Sequence, residues 1–132
     1  ELLEKNGYNT SFFHGAFNGS QNFDRYTDIV GFDKYYGKDQ YKGPESFDGR
    51  WGIFDEEFLQ FTAKELNSFK QPFFSTIFTI SSHAPYIIPE KYKNKFPKGT
   101  TDIQESIAYA DFVVKKIVDA AKKSHVMQIQ YL

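Results

Sequence analysis

The segment FTISSHAPYIIP, residues 78–89, ends a long apolar run in two hydroxyl side chains and a histidine. Ser81, Ser82 and His83 carry groups that bind an anion or move a proton, which a strand that only fills a core does not need. We therefore take His83 as the candidate catalytic residue. The alternative is a histidine that only hydrogen-bonds a loop carbonyl.

A second histidine lies in FFHGAFNGS, residues 12–20, at the start of a glycine-rich loop. Gly15 and Gly19 have no side chain to keep backbone N–H groups away from a ligand, and such loops can cradle anions. His14 is therefore a candidate substrate-binding residue, and an ordinary turn is the alternative. Two histidines that each follow a predicted strand are more informative together than either is alone.

Two further candidates lie in GRWGIFDEEF, residues 49–58. Arg50 can neutralise an anion and Trp51 can form the wall of a pocket, so we take both as substrate-binding candidates. The alternatives are a surface arginine and an indole packed in the core. Asp55 is interpreted as the cap of the helix that follows, and His125 as a partner of a helix dipole.

Hydrophobic spacing and turn residues predict the elements that must position these residues. The first half of the chain contains a strand at 8–14, a helix that begins at 23, is capped by Ser20 or Asn22 and stops at Gly31, a short strand at 32–37 and a loop at 38–52. The second half contains a helix that begins at Asp55 and is stopped by Pro72, a strand at 72–80, a loop at 81–101 and a final helix capped at Thr101 or Asp102 with Glu105.

The final helix is predicted to present one apolar stripe, which consists of Ile103, Ile107, Ala110, Val114, Ile117 or Val118, and Ala121. The tail, SHVMQIQYL, begins like another strand. Strands that alternate with helices predict an α/β fold with a mainly parallel sheet. Ligands bind at the carboxyl ends of the strands in such sheets, and both His14 and His83 are predicted to lie there.

Composition excludes several classes of function. The 132 residues fit a single domain, and 16 Lys+Arg against 17 Asp+Glu leave no basic excess for nucleic acid. The longest apolar run, 72–80, is too short to span a bilayer, and the chain contains no cysteine. No H-x-x-x-H pair and no Asp-His dipeptide is present, so we expect no metal to bind tightly to this chain.

Aromatic residues are abundant, with 15 Phe and 9 Tyr. Most of the phenylalanines fall at core-like spacings, so a phenylalanine-rich core is the favoured interpretation. The alternative is a non-catalytic, aromatic-rich domain that binds glycans or a partner protein. Because the opening residues ELLEKNGY begin like the last turn of a helix, we expect residues 1–132 to be one domain piece from the middle of a larger unit.

Four blocks of sequence carry a specific resemblance: residues 7–37, WGIFDEEFL, QPFFSTIFTISSHAPYIIPEKY and ESIAYADFVVKKI. In this order they resemble the sulfatase-like domain of the lipoteichoic acid synthase family, within the alkaline phosphatase superfamily. The resemblance extends from Gly7 to about Lys123. It implies a three-layer α/β/α sandwich with a mainly parallel sheet, of which this chain is an incomplete middle part.

The resemblance also implies a reaction, the transfer or hydrolysis of sulfate or phosphate esters. In that family a nucleophile, either threonine or a modified cysteine or serine, attacks phosphorus or sulfur beside a divalent metal, which is Mn, Mg, Ca or Zn. The nucleophile and the metal ligands match no position of this chain, so the chain alone is expected to be inactive. The positions that do match are His14 and His83, which would donate hydrogen bonds to ester oxygens.

In one segment near the first histidine the sequence departs from the family. Some lipoteichoic acid synthases have a tryptophan and an arginine near the glycerol phosphate where this chain has Gln21, Asn22 and Phe23, which leaves the substrate alcohol open. Intact members are bacterial membrane-anchored proteins with an extracytoplasmic catalytic domain, and no anchor is expected within this chain. The expected partner is an ester substrate, and an unpaired sheet edge predicts self-association.

Overall fold

A computed structural model describes residues 2–124. Within that range it contains the α-helices α1 Leu2–Lys5, α2 Phe23–Val30, α3 Asp55–Asn67 and α4 Asp102–Lys123, and the strands β1 Asn9–His14, β2 Lys34–Tyr36 and β3 Phe73–Phe78. The predicted strand of the tail and the predicted role of His125 lie outside the described residues. No helix between residues 2 and 124 has both the length and the apolar character needed to cross a membrane.

The three strands form one parallel sheet in the order β2-β1-β3. In its register Phe12 lies opposite Tyr35 on one side and Thr76 on the other. Because successive side chains of a strand point to opposite faces, neighbouring residues of β1 contact different helices. Phe12 packs against Phe23 of α2, with ring centroids 5.3 Å apart.

Phe13 faces the other side of the sheet and belongs to a buried cluster with Ile53, Phe58 and Phe61. α4 packs on α3 through a second cluster of Leu59, Tyr109 and Val113. α2 therefore covers one face of the sheet, while α3 covers the other. This arrangement confirms the predicted α/β layers and mainly parallel sheet.

The prediction for the buried face of α4 was only partly right, since Ile117 of the predicted stripe packs against the cluster between α3 and α4. Ile107 and Val114 of the predicted stripe are 51% and 44% exposed, whereas Tyr109 is 0% and Val113 1% exposed. The buried face is set by Tyr109, whose hydroxyl accepts a hydrogen bond from the Glu56 N–H at 3.2 Å. A stripe chosen from aliphatic residues missed this face because a tyrosine and a serine form much of it.

The helix boundaries follow local signals, but the caps differ from the prediction. Gly31 ends α2 with φ 82, a left-handed conformation that glycine adopts without strain. Neither predicted side chain caps the start of this helix, since Asn22 occupies the N-cap position without a side-chain hydrogen bond. At α4 the Thr101 N–H donates to the side chain of Gln104 at 3.1 Å, so Gln104 takes the role predicted for Glu105.

Glu56 joins α3 to α4 and to the loop before α4. Its carboxylate forms ion pairs with Lys116 and, at 2.6 Å, with Lys91, and it accepts a hydrogen bond from the Tyr92 hydroxyl at 2.8 Å. Burial alone would raise the pKa of Glu56, but these donors outweigh burial and lower the pKa to about 2. The stabilisation is therefore complete above about pH 4.5 and is lost as the pH falls toward 2.

Replacing Glu56 with glutamine tests this junction. We expect Glu56→Gln to lower the free energy of unfolding at pH 7 by roughly 2–3 kcal/mol, because two lysines lose their shared partner. The difference in free energy of unfolding should shrink at pH 3, because the ionised carboxylate of wild-type Glu56 then stabilises the folded state less. Urea unfolding measures both values, with the exposed Glu45→Gln variant as the matched control. A deficit that is equal at both pH values would contradict the charge-based account.

Candidate active site

A cleft of about 420 Å³ opens at the carboxyl ends of β1 and β3. His14, Trp51 and His83 all line it, so the structure brings together three of the four predicted site residues. The remaining lining residues, which sequence reasoning did not single out as site residues, are Ala16, Ser20, Gln21, Phe23, Phe78, Thr79 and Ile80. The site thus combines an aromatic wall with hydroxyl, amide and imidazole groups.

His14 is the last residue of β1 and is only 2% exposed. Its ring lies between Phe23 and Phe78, with centroid distances of 4.9 and 5.3 Å. Burial lowers the pKa of His14, so the imidazole is neutral at neutral pH.

The Tyr35 hydroxyl lies 3.4 Å from Nδ1 of His14. Burial, together with the nearby carboxylates of Asp24 and Asp39, raises the pKa of Tyr35 to about 12, so the phenol keeps its proton. A phenol that keeps its proton can donate it to Nδ1, an arrangement that places the ring proton of neutral His14 on Nε2.

His83 is exposed and lies in the loop that follows β3. Its backbone N–H donates to the Ile80 carbonyl at 3.0 Å. Its Nδ1 lies 3.0 Å from the Ala84 carbonyl oxygen, which can only accept, so Nδ1 carries the proton. In the neutral ring Nε2 of His83 therefore has a free lone pair, the opposite of His14.

Trp51 is fixed by the same carbonyl group. Its indole N–H donates to the Ala84 oxygen at 2.8 Å, and its ring lies 4.5 Å from the His83 ring at an interplanar angle of 65°. One backbone oxygen thus orients both the indole and the imidazole. Trp51 forms a wall of the cleft and also packs against the His83 ring.

Arg50 does not line the cleft. Its side chain is exposed, and the guanidinium carbon lies 5.6 Å from the centroid of the Trp51 ring. The loop is organised by Asp48, whose Oδ1 accepts hydrogen bonds from the backbone N–H groups of Arg50, Trp51 and Gly52 at 2.7–3.0 Å. The Asp48-Gly49 pair is a turn signal that could have revealed this arrangement from the sequence.

The prediction that Asp55 caps its helix was wrong. Its carboxylate accepts hydrogen bonds from the backbone N–H groups of Ile80 and Ser81, both at 2.9 Å, and its own N–H donates to the Ser81 hydroxyl at 3.0 Å. Asp55 is buried, and burial raises its pKa against the effect of these hydrogen bonds. These contacts join the start of α3 to the chain segment that leads into His83, and no local sequence signal marks a partner 25 residues away.

Two glycines let the loops on either side of the cleft meet. The Ile53 N–H donates to the Gly15 carbonyl at 2.9 Å. A Cβ atom on Gly52 would lie 2.2 Å from that same oxygen, so only glycine fits at this position. Gly15, the glycine after His14, was singled out from the sequence. The need for glycine at position 52 could not be, because it depends on the contact of Gly52 with Gly15, a residue distant along the chain.

We also tested whether the residues present fit the divalent metal that the resemblance implies. Between residues 2 and 124 no three histidine, aspartate or glutamate side chains lie close enough together to hold a metal ion. The described part of the chain therefore does not supply the donor set, and no chemical step is derived through a metal.

Comparison with known proteins gives the family. A model of the sulfatase family matches residues 1–128. The chain belongs to the sulfatase family. Lipoteichoic acid synthase-like YvgJ from Bacillus subtilis is 34% identical to this chain over 89 residues, which are 67% of the chain and 14% of that protein.

Two solved structures resemble this chain, each with a TM-score of 0.82 over 95% of this chain. A protein of the alkaline phosphatase superfamily from Vibrio parahaemolyticus is 30% identical, and the lipoteichoic acid synthase LtaP from Listeria monocytogenes is 26% identical. The chain spans 31% and 32% of these structures, so it corresponds to part of a larger alkaline-phosphatase-like sandwich. This likeness confirms the predicted fold.

Removing the Asp55 carboxylate tests its role in the site. We expect Asp55→Ala to lower the free energy of unfolding by roughly 2–4 kcal/mol, because two buried N–H groups lose their acceptor. Hydrogen exchange at Ile80 and Ser81 should become faster at the same time. The exposed Asp28→Ala variant is the control and should change stability by less than about 0.5 kcal/mol. Unchanged exchange at both amides would refute the proposed role.

Proposed function

We propose that this sulfatase-family chain forms the substrate-binding side of a catalytic domain that transfers or hydrolyses phosphate or sulfate esters. The observation that carries the proposal is that His14 and His83 line one cleft. Their Nδ1 atoms have different neighbours, a tyrosine hydroxyl at His14 and a backbone carbonyl at His83, so in this proposal His14 offers a proton at Nε2 and His83 offers a lone pair there. The names of its relatives, which are lipoteichoic acid synthases, favour a phosphate ester such as a phosphoglycerol group.

In this proposal His14 is a hydrogen-bond donor. Its buried, neutral ring donates from Nε2 to an oxygen of the ester, and the packing of Phe23 and Phe78 holds its direction. His83 is the residue that moves a proton. Its Nε2 lone pair accepts a proton from, or returns one to, the alcohol oxygen, while the Ala84 carbonyl holds Nδ1–H.

We further propose that the covalent nucleophile and a divalent metal, one of Mn, Mg, Ca or Zn, are held by other parts of the catalytic domain. A bound metal would supply stabilisation of negative charge on the transferring group. By analogy with the lipoteichoic acid synthases, we place the longer protein at a bacterial cell membrane with its catalytic domain outside the cytoplasm.

The 132-residue chain should therefore show no turnover by itself. The measurement uses an aryl sulfate and an aryl phosphodiester at neutral pH, with and without added manganese. We expect no release of the aryl alcohol above the rate without protein, because the proposal places the nucleophile and the metal ligands in other parts of the catalytic domain. Turnover that is lost in His83→Gln would mean that this chain contains a complete site, and would overturn the division of the site proposed above.

Binding of inorganic phosphate tests the half-site directly. We expect NMR signals of His14, Trp51 and His83 to shift together during a titration of the intact chain, because all three line one cleft. His14→Gln and His83→Gln should each weaken binding by about tenfold, the effect of losing one hydrogen bond to a charged group. The exposed Lys98→Gln variant controls for general attraction of anions and should bind normally. Shifts confined to the lysine-rich residues 91–98 would count against the site.

A Tyr35→Phe variant tests whether the Tyr35 hydroxyl sets the position of the ring proton of His14. Removal of the hydroxyl leaves Nδ1 of His14 without its donor, so the ring proton should redistribute between the two nitrogens. Imidazole ¹⁵N shifts report this change independently of phosphate binding. An unchanged tautomer would show that Tyr35 does not set the direction of the His14 proton.

A second candidate function is a binding module for glycans or a partner protein. Phe17 and Phe47 favour it, because they are 44% and 39% exposed and their ring centroids are 5.6 Å apart. The Lys38 ammonium lies over both rings, at 4.1 and 5.0 Å, which leaves less of their faces for stacking on a sugar. Oligosaccharide titration that shifts Phe17 and Phe47, with no response of the cleft to phosphate, would select this function over the catalytic one.

A further inference from the structure

Two successive residues of the loop between β1 and α2 have a left-handed backbone conformation. Gln21 has φ 58 and Asn22 has φ 54, and neither is a glycine. Side chains other than glycine are strained in this region, although asparagine adopts it more readily because its short polar side chain can hydrogen-bond locally. Asn22 therefore suits its position, whereas nothing in the backbone preference of glutamine favours φ 58 at Gln21.

Contacts on both sides of Gln21 hold it in this conformation. Before it, the Oδ1 atom of Asn18 accepts a hydrogen bond from the backbone N–H of Asp39 at 3.2 Å, which ties the loop to the segment after β2. After it, the ring of Phe23 packs against that of His14, with centroids 4.9 Å apart. Residues 19–22 have to connect these two fixed points. Strain of this kind persists only where the surrounding structure holds it, and it concentrates at functional sites.

The strained glutamine also lines the cleft. Between residues 2 and 124 the residues other than glycine with a positive φ are Gln21, Asn22, Tyr86 and Asn94. Of these, Gln21 belongs to the lining of the cleft and the other three do not. A glycine at position 21 would adopt the same backbone without strain, but it would bring no polar group to the cleft. The carboxamide of Gln21 brings both a hydrogen-bond donor and an acceptor.

We propose that Gln21 is a specificity-determining residue, whose carboxamide hydrogen-bonds a hydroxyl group on the alcohol part of the ester. The inference rests on the proposed function, in which His14 and His83 contact the oxygens at the reacting centre. A hydroxyl group donates and accepts, as a carboxamide does, whereas the oxygens of an ionised phosphate or sulfate only accept. A site that hydrogen-bonds a hydroxyl group of its substrate discriminates against the analogue that lacks it.

Two phosphate monoesters with the same carbon chain test this role. Glycerol 3-phosphate carries free hydroxyl groups, and propyl phosphate does not. Each is titrated into the intact chain, and the Kd is obtained from the NMR shifts of His14 and His83. Wild type should bind glycerol 3-phosphate about fivefold more tightly than propyl phosphate, which is the effect of one neutral hydrogen bond. Gln21→Gly should bind both esters with the affinity that wild type has for propyl phosphate.

Urea unfolding separates this role from a purely structural one. Gln21→Gly relieves the strain at φ 58, which offsets the greater freedom of glycine in the unfolded chain, so the urea midpoint should not fall. The matched control is Asn94→Gly, which makes the same kind of change at φ 63 in an exposed residue outside the cleft lining. This control should keep the wild-type preference for glycerol 3-phosphate.

The outcomes distinguish this inference from the proposed function on which it rests. Equal affinity of wild type for the two esters, or a preference that survives in Gln21→Gly, would overturn the role of Gln21 and leave the proposed function intact. A Gln21→Gly variant with a lower urea midpoint would also overturn it, because Gln21 would then serve the fold. If neither ester shifts the signals of His14 and His83 in wild type, the proposed function fails and this inference fails with it.

Discussion

The parallel register between β1 and β3 is the constraint on which the site depends. His14 lies opposite Phe78, so both strands end at the same edge of the sheet and the loop that carries His83 begins beside His14. A slip of one residue would turn His14 toward the face of α3 and separate it from Phe23. The register is held in turn by the two faces of β1, because Phe12 and Phe13 are buried against different helices.

At the carboxyl ends of β1 and β3, hydrogen bonds position the site residues more than apolar packing does. Asp55 holds the backbone of Ile80 and Ser81, and the Ala84 carbonyl orients both Trp51 and His83. Nδ1 of His83 contacts a backbone carbonyl, whereas Nδ1 of His14 contacts a phenol hydroxyl. The two histidines therefore have different partners, although both lie at the carboxyl-end edge of the sheet.

The sequence was informative wherever a signal is local. The boundaries of β1 and α2, the start of α3, the order of elements and the position of His14 and His83 near the carboxyl ends of strands all follow from hydrophobic spacing, glycine and proline. The end of α3 does not, since the helix ends at Asn67, before the proline that was predicted to stop it. Contacts between distant residues could not be read in this way. The role of Asp55 depends on a backbone 25 residues away, and the buried face of α4 depends on Tyr109, which meets α3 only in the folded chain.

Phe78 links the edge of the sheet to the site. It is 47% exposed on β3, it lines the cleft, and its ring lies 5.3 Å from that of His14. Burial lowers the pKa of His14, and the rings of Phe23 and Phe78 pack against it. The strand that carries Phe78 therefore supplies part of the environment that keeps His14 neutral.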